Sequence, residues 1–287
     1  MRAIRSPAPD IRSGDSIPAA YGLRLSGLGD DGLLALTGAG DFPHVTVVRE
    51  RTEMPDYDGH FGPGWAAFPM EGGGVHINRA TAVARMHGPR PPSDEDAVHP
   101  WLSRVAAAFA HWHGRELLHG GAFLAAGGAW AVLGGNESGK STLLGRLATS
   151  GHTVLSDDAL VLDGTDVLVG PRCVDLRPSA AEALGVEHTQ PGRAGRVRIR
   201  LAPASARVPL AGIVHLRFAD GPAAAQQVPL ARRIDLLRAQ APMRPKLPPN
   251  KLALLELAAM PTLELMRPRD LGALEASAAA LLATLPS

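Results

Sequence analysis

The nine residues Gly134-Gly135-Asn136-Glu137-Ser138-Gly139-Lys140-Ser141-Thr142 constrain this chain more than any other segment. Their spacing is the Walker A pattern of a phosphate-binding loop. Such a loop curls until several backbone N–H groups converge on one anion, and the helix that follows turns its positive end on the same anion. In that pattern Lys140 reaches the β- and γ-phosphates of a nucleotide and Ser141 holds Mg²⁺. The lysine is informative in itself, because the chain carries three lysines against twenty-six arginines.

The flanks supply the strand and helix that the loop needs. Trp130-Ala131-Val132-Leu133 is a short apolar run suited to a buried strand. Residues 140–150 read as a helix with Leu143, Leu144 and Leu147 on one face, and Gly151 is placed to stop it. Thr153-Val154-Leu155 follows as a second strand and runs into Ser156-Asp157-Asp158. Taken alone, an Asp pair there is a capped turn. Beside a phosphate loop, two carboxylates at a strand end point to metal binding and to a general base.

The chain has 287 residues, 45% of them hydrophobic and 20% charged, so a packed core is expected in one large domain or two small ones. A net charge of +1 gives no general reason to expect nucleic acid or a membrane as partner. The lone Cys173 permits no internal disulfide, and residues 1–7 lack an apolar signal core, so a cytoplasmic setting is expected. The apolar run 120–135 is too short and glycine-rich for a membrane span and reads as two strands joined at Gly127-Gly128. The proline-rich, acidic stretch 89–96 divides a β-rich N-terminal domain, 1–95, from a catalytic domain, 96–287. In the first, Tyr21-Gly22-Leu23-Arg24-Leu25 and residues 44–48 alternate, and 75–77 and 82–84 are short strand candidates. In the second, 101–113 has helical spacing with Pro100 at its start, and 160–162 pairs with 167–169 across Asp163-Gly164. A hairpin at that point does not suit a doubly wound fold, where a helix should follow. Residues 242–249 read as an exposed basic loop, and 271–285 as an Ala/Leu-rich helix.

Leu118-His119-Gly120, the hairpin, the loop, Gly151-His152 and Asp157-Asp158 together resemble the C-terminal catalytic domain of HPr kinase/phosphorylase. The likeness is closer to HPr-kinase-related proteins that phosphorylate precursor peptides in lasso-peptide clusters, and Ile17-Pro18 with Tyr21 to Leu25 resembles their opening. The resemblance implies a P-loop fold of the phosphoenolpyruvate-carboxykinase type, α/β with a mixed sheet that accommodates the hairpin. It implies that Asp158 is the base, that Asp157 stands beside Mg²⁺ and Ser141, and that His119 neighbours the base. It also implies that Asp175 is a second metal-side carboxylate and Arg177 a nucleotide-side arginine.

Alternation along 193–200 puts Arg196, Arg198 and Arg200 on one strand face, either a phosphate clamp or a solvated edge. Two features depart from the resembling family. Glu137 stands where a glycine is usual, and its charge repels a triphosphate unless it turns outward or pairs with arginine. Arg177-Pro178-Ser179 replaces a glycine-rich signature, which argues against the reverse reaction and against HPr as substrate. The expectation is an ATP- and Mg²⁺-dependent kinase acting on a serine or threonine of a peptide or small protein, with a natural-product precursor as one candidate. A small-molecule or carboxykinase-like enzyme and a non-catalytic ATP-binding module are the alternatives, and homo-oligomerisation is left open.

Overall fold

The computed structural model describes residues 17–29, 32–37, 42–52, 59–187, 189–192, 195–240 and 250–286. The N-terminal 1–7 segment, Arg193 and the 242–249 loop singled out above lie outside the described residues. The chain folds as a mixed α/β structure. Eight strands form a first sheet: β1 (Ile17–Ala20), β2 (Leu23–Ser26), β3 (Ala35–Thr37), β4 (His44–Arg51), β5 (His60–Phe61), β6 (Trp65–Met70), β7 (Gly73–Asn78) and β8 (Val83–Gly88). Their order is β3-β1-β2-β4-β8-β7-β6-β5. Ser93 caps a short turn of helix, α1 (Asp94–Asp96), its hydroxyl accepting from the Asp96 amide. The backbone is extended at His99 (φ −150°, ψ 118°) within Ala97–Trp101, and from Pro100 it runs helically into α2 (Leu102–Trp112), so Pro100 stands just inside the start of the helix.

The remaining elements are β9 (Glu116–Ala125), β10 (Gly128–Leu133), α3 (Lys140–Thr149), β11 (Val154–Ser156), β12 (Ala159–Asp163), β13 (Asp166–Leu168), β14 (Cys173–Leu176), α4 (Pro178–Ala183), β15 (Gln190–Pro191), β16 (Val197–Arg200), β17 (Arg207–Phe218), β18 (Ala224–Gln227), α5 (Leu230–Ala239), α6 (Lys251–Ala259), β19 (Thr262–Arg267) and α7 (Leu274–Thr284). The β9–β10 hairpin turns at Ala126 and Gly127, both at positive φ, as a two-residue primed turn requires. The second sheet is mixed: β10 and β19 run parallel to β17, while β9, β11, β12, β13 and β18 pair antiparallel. Pairing closes into a ring through β10, β9, β12, β13 and β17, because β17 pairs with β13 at one end and β10 further along. Among the described residues no helix is long and apolar enough to cross a membrane.

Strand β10 shows why both faces are covered. Trp130 and Val132 enter a core with Leu143, Leu144 and Leu147 of α3 and with Leu274 and Leu281 of α7. Ala129, Ala131 and Leu133 enter the opposite core, closed by Leu237, Leu254 and Leu257 of α5 and α6. A central strand with helices on both sides is apolar at every position, as the run in the sequence anticipated. A third core joins the first sheet to α2, Ala159, Val161, Leu168 and Cys173, so the two sheets share apolar packing across residue 95.

Strands β14, β16 and β15 form a small third sheet in which Asp175 lies opposite Arg198. Arg198 is 1% exposed, and its guanidinium grips both carboxylate oxygens of Asp175 at 2.7 and 2.8 Å. It also donates to the carbonyls of His99 and Glu95, tying this sheet to the segment before α2. Breaking a buried pair strands a charge, which typically costs about 3–5 kcal/mol. Arg198→Met should therefore lose stability of about that order in urea denaturation, and the double variant with Asp175→Leu should recover most of it. A single-variant loss below about 1 kcal/mol would show that water solvates Asp175.

Candidate active site

The loop from Gly134 to Gly139 connects the end of β10 to the start of α3. Gly139 caps the helix at φ +83°, and a Cβ there would collide with the Arg267 guanidinium. Arg267, at the end of β19, is 3% exposed and donates to the carbonyls of Ser138 and Gly139 at 3.0 and 3.3 Å. Phe218, at the end of β17, carries Arg267 on its ring at 4.9 Å and Arg269 at 5.6 Å. Burial lowers the pKa of both Arg267 and Lys140. Lys140 is 6% exposed and donates to the carbonyls of Gly134 and Gly135 at 2.8 and 3.0 Å. The Ser138 hydroxyl is buried in the loop with no hydrogen-bond partner, an unsatisfied group of the kind that marks functional sites.

Glu137 resolves the objection its charge raised. It stands in the loop at φ +62°, exposed, and accepts a hydrogen bond from Arg177, with Arg269 at 3.9 Å. The Arg177 guanidinium holds its carboxyl below the usual range. The carboxylate therefore faces two arginines across the mouth of the cleft.

Ser141, one residue into α3, donates to Asp157 Oδ1 at 3.0 Å. Asp157 is 4% exposed, and burial, reinforced by Asp158, pushes its carboxyl up to about 7. Asp158 occupies the apex between β11 and β12. The Ala159 amide bonds back to the Asp157 carbonyl at 2.8 Å, and Asp158 has φ +68°. That combination is a γ-turn of the strained hand. For a residue with a Cβ it costs about 1–3 kcal/mol, and such strain concentrates at functional positions. The turn lifts the Asp158 carboxylate into the cleft, where it is 45% exposed.

His119 approaches Asp158 from the adjacent strand β9, whose register sets His119 opposite Ala159. Its Nδ1 lies 3.0 Å from the Asp158 carbonyl and 3.5 Å from Oδ1. Both neighbours are acceptors, so Nδ1 carries the proton. Burial and then Lys140 lower the pKa of His119, which keeps the ring neutral.

These side chains line a cleft of about 680 Å³ with Asn136, Thr142, Arg177, Phe218, Arg267 and Arg269. A smaller cavity of about 250 Å³ adjoins it and shares Ser141, Asp157, Asp158, Asp175 and Arg196. Asn136, Glu137, Gly139, Lys140, Ser141, Asp157, Asp158 and His119 thus come together along one cleft. Two residues sit differently. Asp175 lines the cleft, but both its carboxylate oxygens are taken by Arg198, so it stands there as a neutralised wall rather than as a metal ligand. Arg198 is sealed in that pair and does not face a ligand, so Arg196, Arg198 and Arg200 make no common phosphate face. Arg196 lines the cleft with Nη1 on the Asp175 carbonyl, while exposed Arg200 bonds Gln190. Arg267, Arg269 and Phe218 escaped the sequence reading. The available signal was the Leu263/Leu265 alternation ending in Arg267, because strand ends beside a phosphate loop share its crevice.

The donors fit a phosphate-bound divalent cation. Ser141 and Asp157 are hard oxygen ligands, and among the described residues no cluster of three or more His, Cys, Asp or Glu forms an all-protein cage. Mg²⁺ is held in this way, by one or two protein oxygens with phosphates and water completing its shell.

No family model matches the chain, and no curated protein matches it. Among solved structures it is similar to the Hpr(Ser) kinase/phosphatase from Coxiella burnetii, with 9% identity and a TM-score of 0.27, over 58% of this chain and 93% of that one.

Proposed function

We propose that the protein is an ATP- and Mg²⁺-dependent phosphotransferase that moves the γ-phosphoryl group to a serine or threonine hydroxyl of a peptide or small protein, in a reducing, cytoplasmic setting. A natural-product precursor peptide is the acceptor we favour. The observation that carries the reading is one cleft holding three devices: the Lys140 loop, the Ser141–Asp157 pair and the His119-backed Asp158. Phosphoryl transfer needs in-line placement and charge neutralisation more than covalent help.

Magnesium-bound ATP supplies the phosphoryl group and offsets charge on the β- and γ-phosphates. The chain's own residues do the rest. Backbone N–H groups of the loop and the α3 N-terminus bind phosphate oxygens. The Lys140 ammonium exchanges loop carbonyls for phosphate. Arg267 stays beneath the loop and holds its carbonyls away from the anion. Asp158 takes the proton of the acceptor hydroxyl, and the His119 Nδ1–H, bonded to the Asp158 carbonyl at 3.0 Å, holds the turn that carries that carboxylate.

Three outcomes test these roles. Lys140→Ala should weaken ATP·Mg²⁺ binding, or turnover, by at least about tenfold, the loss of a charge-assisted contact worth roughly 1.5–3 kcal/mol. Calorimetric titration measures this, and equal affinity with equal turnover would remove the loop from the site. Asp158→Asn should cut transfer to an acceptor by about 10²–10⁴-fold and leave nucleotide affinity unchanged, since the loop is untouched. Wild-type transfer rates in that variant would place the base elsewhere.

The third concerns Asp157 and pH. Its folded pKa of about 7 stands above the ordinary carboxylate value of 3.8, so the folded protein holds this proton more tightly than the unfolded chain. The associated stability is present at acid pH and is lost as pH rises from about 4 to about 7. Metal-free wild type should accordingly lose Tm relative to Asp157→Asn between about pH 5 and about pH 8. Mg²⁺ with an ATP analogue should narrow that gap at the higher pH, because a cation compensates the buried carboxylate. A gap that does not change with pH would show that Asp157 titrates normally.

A further inference from the structure

The larger cleft and the smaller cavity share five lining residues: Ser141, Asp157, Asp158, Asp175 and Arg196. Lys140, Arg177, Arg267 and Arg269 line the larger cleft alone. The smaller cavity adds Glu71, from the turn between β6 and β7, with His99 and Pro100 where the chain enters α2. None of these three belongs to the phosphate loop or the second sheet. The shared residues therefore mark the junction between the side that takes nucleotide phosphates and the side left for an acceptor. Ser141 and Asp157 serve the cation there, and Asp158 serves the proton. Asp175 is neutralised by Arg198. Arg196 is the cationic side chain at the junction, and the phosphate loop does not account for it.

Its neighbours hold Arg196 in place without neutralising it. The Gly192 amide donates to the Arg196 carbonyl at 2.7 Å, and Arg196 stands one residue before β16, which pairs with β14. Its Nη1 donates to the Asp175 carbonyl at 3.1 Å. The carboxylate of that same Asp175 is gripped on both oxygens by Arg198 and is not available to capture Arg196. Among the described residues Arg196 enters no ion pair. A guanidinium carries its donors in a planar fork, so one N–H on a carbonyl leaves the others for phosphoryl oxygens. We propose that Arg196 is a further catalytic residue, one that stabilises the phosphoryl group in flight rather than the nucleotide before transfer. The proposal rests on the phosphotransferase reading. In that reaction the acceptor oxygen bonds to the γ-phosphorus as the bond from that phosphorus to the β,γ-bridging oxygen breaks. ADP leaves with the electron pair, and the acceptor's proton goes to Asp158. Charge spreads over the three equatorial oxygens as the group crosses the junction, and the Arg196 fork meets it there. An interaction made mainly in the transition state raises kcat and leaves ground-state affinity alone.

The test compares wild type, Arg196→Ala and Arg196→Lys. Arg196 is exposed, so neither substitution disturbs the core. Two quantities are measured with Mg²⁺ present: kcat for transfer from ATP to water and to a serine/threonine peptide library, and the Kd of a non-hydrolysable ATP analogue by calorimetry. Arg196→Ala should lower kcat by about 10³-fold. Its affinity for the analogue should stay within about twofold of wild type. Arg196→Lys should recover only part of the rate, because an ammonium lacks the fork, and free guanidinium added to Arg196→Ala should recover part of it as well. A fall in kcat of less than about tenfold keeps the kinase and overturns the role of Arg196. Turnover and analogue affinity falling in parallel also overturn it, because Arg196 is then a ground-state clamp. Wild type that binds the analogue and transfers to neither acceptor sinks the phosphotransferase reading, and this role with it.

Discussion

The site depends on a close backbone approach at Gly120 and Gly121, midway along β9. The first half of this strand pairs with β12 and the second with β10 and β11. At the crossover a Cβ on Gly120 would lie 2.6 Å from the Val132 carbonyl. One on Gly121 would lie 2.4 Å from the Ser156 carbonyl and 2.5 Å from Leu144. Two residues without side chains therefore let three strands and α3 converge. That convergence sets His119 against Asp158 and Ser141 against Asp157. Any larger residue at Gly121 pushes the Asp157–Asp158 turn away from α3, because the obstruction is backbone and cannot rotate aside.

Charge burial follows from the same crowding. Lys140, Arg267 and Asp157 are nearly sealed, and each has its charged form opposed by desolvation. Burial of a charge is costly unless it is paired, and here the pairing is deliberately incomplete. Lys140 and Arg267 rest on loop carbonyls, and Asp157 on a serine hydroxyl. A loop held this way is preorganised for an anion with its cation, since binding supplies the missing charges without moving the frame. The strained turn at Asp158 is the second element of preorganisation, with the energy to maintain it coming from the strands on either side.

Much of this was legible in the sequence. The loop, the α3 leucines and the Asp pair lie within one local stretch, and local pattern reports them directly. The hairpin after Asp158 argued against a doubly wound sheet. What local pattern could not report was pairing across the chain. Arg198 alternates with Arg196 and Arg200, yet Asp175 lies opposite it in the neighbouring strand and captures it. Arg267 is more than a hundred residues from the loop it supports, and Glu71 belongs to another sheet altogether. Glu137 likewise depended on Arg177, forty residues away, to make an acidic side chain tolerable in a phosphate loop.

The N-terminal sheet packs against the candidate site rather than standing apart from it. Tyr21, in the β1–β2 turn, is fully buried at φ +57°, and its amide donates to the Val169 carbonyl at 2.7 Å. A Cβ on Gly170 would meet both the Tyr21 ring and the Ser156 hydroxyl, so the ring packs directly behind the turn that carries Asp157 and Asp158. Burial, and then Asp158, raise the phenol pKa, which keeps it neutral there. The first sheet therefore reaches the candidate site twice, with Tyr21 behind the Asp157–Asp158 turn and Glu71 at the smaller cavity. One apolar core joins the first sheet to Ala159, Val161 and Leu168 of the strands that follow the Asp157–Asp158 turn. The packing of the first sheet and the placing of the Asp157–Asp158 turn are, in this fold, the same constraint.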